Sequence, residues 1–83
     1  MRQARASAMT AAEELYEAAF ARINEGCLSD AVACLQRALA LDPGHARYAT
    51  ALAKVYDMLG DREQSHVWLE KSLCLRRRAL SPR

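Results

Sequence analysis

The sequence predicts an all-α fold, an α-solenoid of two antiparallel helix–turn–helix hairpins with an elongated last helix. Three observations carry that prediction. The chain repeats itself: a shift of 34 residues brings six identities into register, Ala12/Ala46, Ala19/Ala53, Gly26/Gly60, Leu35/Leu69, Leu39/Leu73 and Leu41/Leu75. Apart from the glycine, all are small or apolar side chains of the kind that set helix–helix spacing, and a fixed period of this length marks a stacked helix–turn–helix unit. Ala, Leu, Glu, Arg and Gln dominate the chain, and these are good helix formers. No stretch alternates apolar and polar residues with period two, the signature of a half-buried strand.

Each element follows from its local chemistry. Thr10 and Glu13 have the spacing of a capping box, in which the hydroxyl takes a free amide of the first turn and the carboxylate reaches back. Glu13 and Glu14 also suit the positive end of the helix dipole. The first helix is expected to run to about Glu25, with Leu15, Ala18, Ala19, Arg22 and Ile23 on one face. Gly26 supplies the turn, because glycine tolerates the left-handed conformation at a helix end. Leu28 or Ser29 starts the second helix, whose expected apolar face is Ala31, Val32, Leu35, Ala38, Leu39 and Leu41. Asp42-Pro43-Gly44 stops it, since proline cannot continue a helix and disfavours helical geometry in the residue before it. The third helix is expected from His45 to Leu59, with a stripe of Ala49, Leu52, Ala53 and Tyr56. Gly60 is its turn. Asp61 and Gln64 form a second capping-box candidate. The fourth helix carries Val67, Trp68, Leu69, Leu73 and Leu75 as its apolar set. Arg77 stands where Pro43 ended the second helix, so this one is expected to continue to about Leu80, until Ser81-Pro82.

Length and charge bound the rest. Eighty-three residues make one small domain, near the size at which a single core is marginal. Residues 10–80 are read as that domain, with repeat one at 12–45 and repeat two at 46–79. Residues 1–9, rich in Arg, Ala and Ser, read as a disordered N-terminal segment, and 81–83 as a tail. A clipped transit peptide is an alternative for the first stretch on composition alone. A net charge of +2 gives no strong field from which to argue a partner. Cys27, Cys34 and Cys74 are odd in number and form no C-x-x-C pair, which excludes a disulfide framework or zinc site. They read as small hydrophobes in a reducing, cytoplasmic compartment, with Cys27, beside a turn, expected to be the most exposed. Met1 to Thr10 has no apolar stretch of the kind a signal peptide needs, and charges interrupt every apolar run before it could span a membrane.

These residues resemble the tetratricopeptide repeat (TPR), whose pattern is W-x2-L-G-x2-Y on the first helix, then A-x3-F-x2-A and a late proline on the second. Repeat one offers Leu15, Ala18, Ala19 and Arg22, then Ala31, Leu35, Ala38 and Pro43. Repeat two offers Ala49, Leu52, Ala53 and Tyr56, then Ser65, Leu69 and Ser72. The match is strongest from Gly26 to Pro43. It weakens at Arg22, which replaces an aromatic, and in repeat two, which has serine for both second-helix alanines and no proline. Small residues at Ala19, Ala31, Ala38, Ala53, Ser65 and Ser72 would let helices approach, while Leu35, Leu69 and Tyr56 fill the spaces between.

The resemblance implies a concave groove lined by the first helix of each repeat. In repeat one that assigns Tyr16, Phe20, Ile23 and Asn24, and in repeat two Arg47, Thr50, Lys54 and Asp57. Tyr16 and Phe20 are either apolar anchors for a bound segment or packing against the N-terminal segment or the long last helix. Arg47 and Lys54 either hold a carboxylate or form a solvated face with Asp57 and Glu17 as partners. The Lys/Asn arrangement with which some TPR proteins clamp a C-terminal carboxylate is absent, because Tyr16 and Phe20 fill its slots.

The function expected is a protein–protein interaction module, an adaptor or chaperone-like protein that takes a peptide or helix of another protein. A homo-oligomer through the last helix is a further expectation, since a solenoid of two repeats leaves one flank open. Arg76, Arg77 and Arg78 give the alternative, a basic patch for nucleic acid or an acidic surface; three arginines supply only a small phosphate contribution, and they also suit the negative end of a helix dipole. No catalytic, cofactor or metal constellation can be assembled. His45 and His66 lack companions at ligand spacing and read as a turn residue and a helix-surface residue. Gly26, Gly44 and Gly60 each sit in a turn and make no phosphate loop. Trp68 reads as packing between repeats.

Overall fold

A computed structural model of the chain describes residues 9–80. It contains four helices, α1 (Ala11–Asn24), α2 (Leu28–Leu41), α3 (Ala46–Met58) and α4 (Arg62–Leu80), with no strand among the described residues. α1 pairs with α2 and α3 with α4, and the two hairpins stack where α2 meets α3. The result is a slab of 47 × 41 × 16 Å. The expectations for residues 1–9, apart from Met9, and for 81–83 fall outside the described residues.

The boundaries follow the chemistry expected of them. Thr10 and Glu13 form the full capping box: the Glu13 amide donates to Thr10 Oγ1 at 3.1 Å and the Thr10 amide to Glu13 Oε1 at 2.9 Å. At α4 only the forward half is seen, with the Gln64 amide donating to Asp61 Oδ1 at 3.1 Å. Gly26 and Gly60 adopt φ of +83° and +86°, the left-handed region that lets the chain turn back at once. Asp42 leaves the helical region ahead of Pro43, ending α2 after 14 residues, whereas α4, with Arg77 in the proline's place, reaches 19.

The core runs through the hairpin stack. Ala19, Ala31 and Ala38 are wholly buried and let α1 and α2 approach; Leu35, Leu52, Val55 and Tyr48 fill the space between the hairpins. Burying a leucine or valine side chain is worth about 1.5–3 kcal/mol. The stripe expected on α3 was too narrow. Tyr48, Ala51 and Val55 are buried as well as Ala49, Leu52 and Ala53, because α3 lies between α2 and α4 and buries two faces, not one. The expectation for α4 was too generous. Leu69, assigned to fill space between helices, is 45% exposed, and Val67 and Leu73 are exposed with it. Among the described residues no helix packs over that side. Leu41 is likewise exposed, since α2 ends beside it. Cys74, not Cys27, is the exposed cysteine; Cys27 is half-buried in the turn against α1.

Candidate functional site

α1 and α3 present neighbouring faces on one side of the slab, where Tyr16 of α1 meets Tyr48 of α3 and Arg76 reaches in from α4. There a groove of about 550 Å³ opens. Six of the eight groove residues named from the sequence line it: Tyr16, Phe20 and Ile23 from α1, and Arg47, Thr50 and Lys54 from α3. Asn24 and Asp57 do not. Both are exposed at the last turns of their helices, and beyond Lys54 the lining face continues at the four-residue step to Met58, turning Asp57 away. Arg76 from α4 completes the lining.

The floor of this groove is aromatic. The Phe20 and Tyr16 rings meet edge-on with centroids 4.8 Å apart; Tyr16 leans on Tyr48 at 4.9 Å; and His45 stacks on Tyr48 at 3.9 Å, with the planes within 7°. Tyr16 is half-buried by this contact, and Phe20 remains 41% exposed at the open end. Neither of the two roles expected for this pair includes the neighbour that does hold Tyr16, which is Tyr48. Tyr48 escaped the sequence reading because its counterpart 34 residues earlier is Glu14, so the repeat gives no hint of an aromatic there. The i, i+3 spacing of His45 and Tyr48 was the available signal.

Tyr48 is 1% exposed and its hydroxyl has no hydrogen-bond partner among the described residues. Burial pushes its phenol above the usual value, with the negative charges of Glu13 and Asp42 and the Tyr16 phenol adding to the shift and Arg47 opposing it. Thr50, by contrast, is fully engaged. Its hydroxyl donates to the Ala46 carbonyl at 3.1 Å and shares a hydrogen bond with the buried Ser72 hydroxyl of α4, which also lies 3.4 Å from that carbonyl. Thr50 therefore locks α3 to α4 and offers the groove only its remaining apolar surface. Ser72, read from the sequence as a small spacer, is one half of that lock.

Three cations surround the aromatic floor: Arg47, Lys54 and Arg76. Arg22 and Glu25 form an ion pair at 3.3 Å and His66 contacts Glu70 at 3.2 Å; among the described residues neither Asp57 nor Glu17 comes within ion-pair distance of Arg47 or Lys54, the partners one expectation gave them. The arginine run is split by the helix. Arg76 faces the groove, while Arg78 lines a separate recess of about 400 Å³ with Trp68 and Cys74. At about 100° per residue, consecutive side chains cannot share one face, and the cluster does not form a single patch. Trp68 is half-buried against the core with the Lys71 ammonium 4.4 Å above its ring. No group of three metal-ligating side chains occurs among the described residues, and no described helix is long and apolar enough to cross a membrane.

A family model of the tetratricopeptide repeat matches residues 12–45, the first of the two 34-residue copies. A comparison with curated proteins finds no match.

Proposed function

We infer, from the premise that residues 12–45 are a tetratricopeptide repeat, that the protein is an adaptor or chaperone-like module that holds a segment of a partner protein in the α1/α3 groove. The repeat is a protein–protein interaction unit in general; the groove's chemistry suggests what it takes. The observation that carries the reading is the juxtaposition of an exposed aromatic edge, Phe20 beside Tyr16, with three cations that have no carboxylate within ion-pair distance among the described residues. Such a surface favours a peptide or short helix with one apolar anchor and acidic residues flanking it. The anchor would gain area against Phe20 and Met58, and the carboxylates would take Arg47, Lys54 and Arg76 as charge-assisted partners. Cytoplasmic residence fits the three free thiols and belongs to the same proposal.

The test is a pull-down from native extract and a peptide array scored against Tyr16→Ala/Phe20→Ala and Lys54→Glu. Both variants are expected to lose the same partners. Arg76 lies in the groove, so Arg77→Ala/Arg78→Ala is the change that isolates the tail. If that pair removes every partner while the groove variants keep them, the tail reading replaces this one. Salt separates the two further, since a phosphate contact through arginines weakens steeply with ionic strength.

A further inference from the structure

Every position in the second hairpin has a counterpart 34 residues earlier, and the counterpart shows what the position is shaped to touch. Leu35 and Leu39 on α2 are 0% and 9% exposed, covered where α3 crosses. Their counterparts Leu69 and Leu73 on α4 are 45% and 49% exposed. α3 covers α2 with Tyr48, Ala51, Leu52 and Val55, all part of the buried cluster shared with the first hairpin. The counterparts of those four on α1 are Glu14, Glu17, Ala18 and Ala21, and all but the half-buried Ala18 are exposed. One end of the stack is therefore apolar and runs into Arg76. The other is small and acidic.

We propose that the protein associates head to tail, with α1 of one copy lying on α4 of the next in the place that α3 occupies on α2. This goes beyond the groove reading and does not depend on it. Charge complementarity selects the occupant. The register that pairs α2 with α3 brings Tyr48 near Asp42, so it puts Glu14 of one copy, with Glu17 beside it on α1, near Arg76 of the other, and the alanines over Leu69 and Leu73. Gln36 of α2 donates to the Tyr56 hydroxyl of α3 at 3.2 Å; the equivalent pair between copies is Glu70 with Arg22, a carboxylate with a guanidinium. A two-fold pairing of α4 with itself is the rival. Arg62, His66, Leu69, Leu73 and Arg76 follow at four- and three-residue steps along one face of α4, so an antiparallel pairing centred on the leucines brings His66 against Arg76, and a parallel one sets each cation against its own copy. Neither places a carboxylate opposite Arg76.

Sedimentation velocity over a concentration series tests this. At low salt the weight-average coefficient is expected to climb with concentration past that of a dimer without a plateau, because a heterologous contact does not close. In about 0.5 M salt the association constant should fall at least about tenfold, as exposed pairs are screened. Glu14→Lys/Glu17→Lys blocks one end and Leu69→Lys/Leu73→Lys the other. Each variant alone should be monomeric. Mixed in equal amounts they should form one discrete heterodimer, since each supplies the intact end the other lacks and the two lysine-bearing ends repel. That heterodimer would also show that both variants fold. A wild-type protein that stays monomeric up to about millimolar concentration, far above the range of specific micromolar contacts, overturns the proposal. So does a dimer that survives Glu14→Lys/Glu17→Lys, which would assign the contact to α4 with itself.

Discussion

Leu35 and Leu69 occupy the same place in the two copies, and replacing each by alanine measures how far the tertiary setting alone decides a residue's worth. Leu35 is wholly buried. Its truncation removes three carbons from a packed site and leaves a cavity, so the cost is about 3 kcal/mol, within the usual range for buried leucines. Leu69 keeps 45% of its surface in solvent. Only about half of the same three carbons leave water on folding, at about 0.8 kcal/mol each, and solvent fills the space they vacate; the cost is roughly 1 kcal/mol. For a domain of this size 1 kcal/mol moves Tm by about 4–8 °C, so Leu35→Ala should melt about 12–24 °C below wild type and Leu69→Ala about 4–8 °C below. The assay is thermal unfolding followed by far-UV circular dichroism, with urea titration as a second measure. Both are run dilute and in high salt so that association does not contribute. Equal losses for the two variants would refute the reasoning, because they would mean that α4's outer face is covered within a single copy.

Three further outcomes are expected. Tyr48→Phe removes a buried hydroxyl that has no partner among the described residues and should stabilise the protein by about 1 kcal/mol, seen as a raised Tm; since the folded-state phenol titrates above its usual value of 10.0, its neutral form contributes stability that is present below that value and lost as pH rises through the folded one, so wild type should lose more stability than Tyr48→Phe in alkaline urea titrations. Thr10→Ala breaks the capping box of α1 and should cost about 1 kcal/mol, with amide exchange accelerating in the first turn of that helix; an unchanged exchange rate there would contradict the role given to the cap. Gly26→Ala meets no neighbouring atom but must hold φ at +83°, a backbone cost of about 1–2 kcal/mol, whereas Gly44→Ala, also without a neighbour and outside the left-handed region, should leave the urea midpoint nearly unchanged.

The sequence by itself determined the helices, their order and their turns, because those depend on interactions only a few residues apart. The caps at Thr10 and Asp61, the left-handed glycines at 26 and 60, the stop at Pro43 and its absence at Arg77 are all local events. The 34-residue period added the pairing of the hairpins, since a repeated unit must present like positions to like neighbours, and the resemblance to the tetratricopeptide repeat implied a groove, six of whose eight assigned residues line the one observed. What the tertiary structure decided was wherever the two copies differ in surroundings. Leu69 and Leu73 carry the same pattern as Leu35 and Leu39 but face solvent, as only the earlier pair is packed under another helix among the described residues. Tyr48, with a glutamate as its counterpart, could be placed under the groove only once α1 and α3 presented neighbouring faces. The Thr50–Ser72 lock joins residues 22 apart in sequence whose types say nothing of each other. The arginine run reads as one patch along the chain and becomes two faces on the helix. Local free energies are written in neighbouring residues; burial is set by which helix arrives from elsewhere in the chain, and that depends on the packing of the whole.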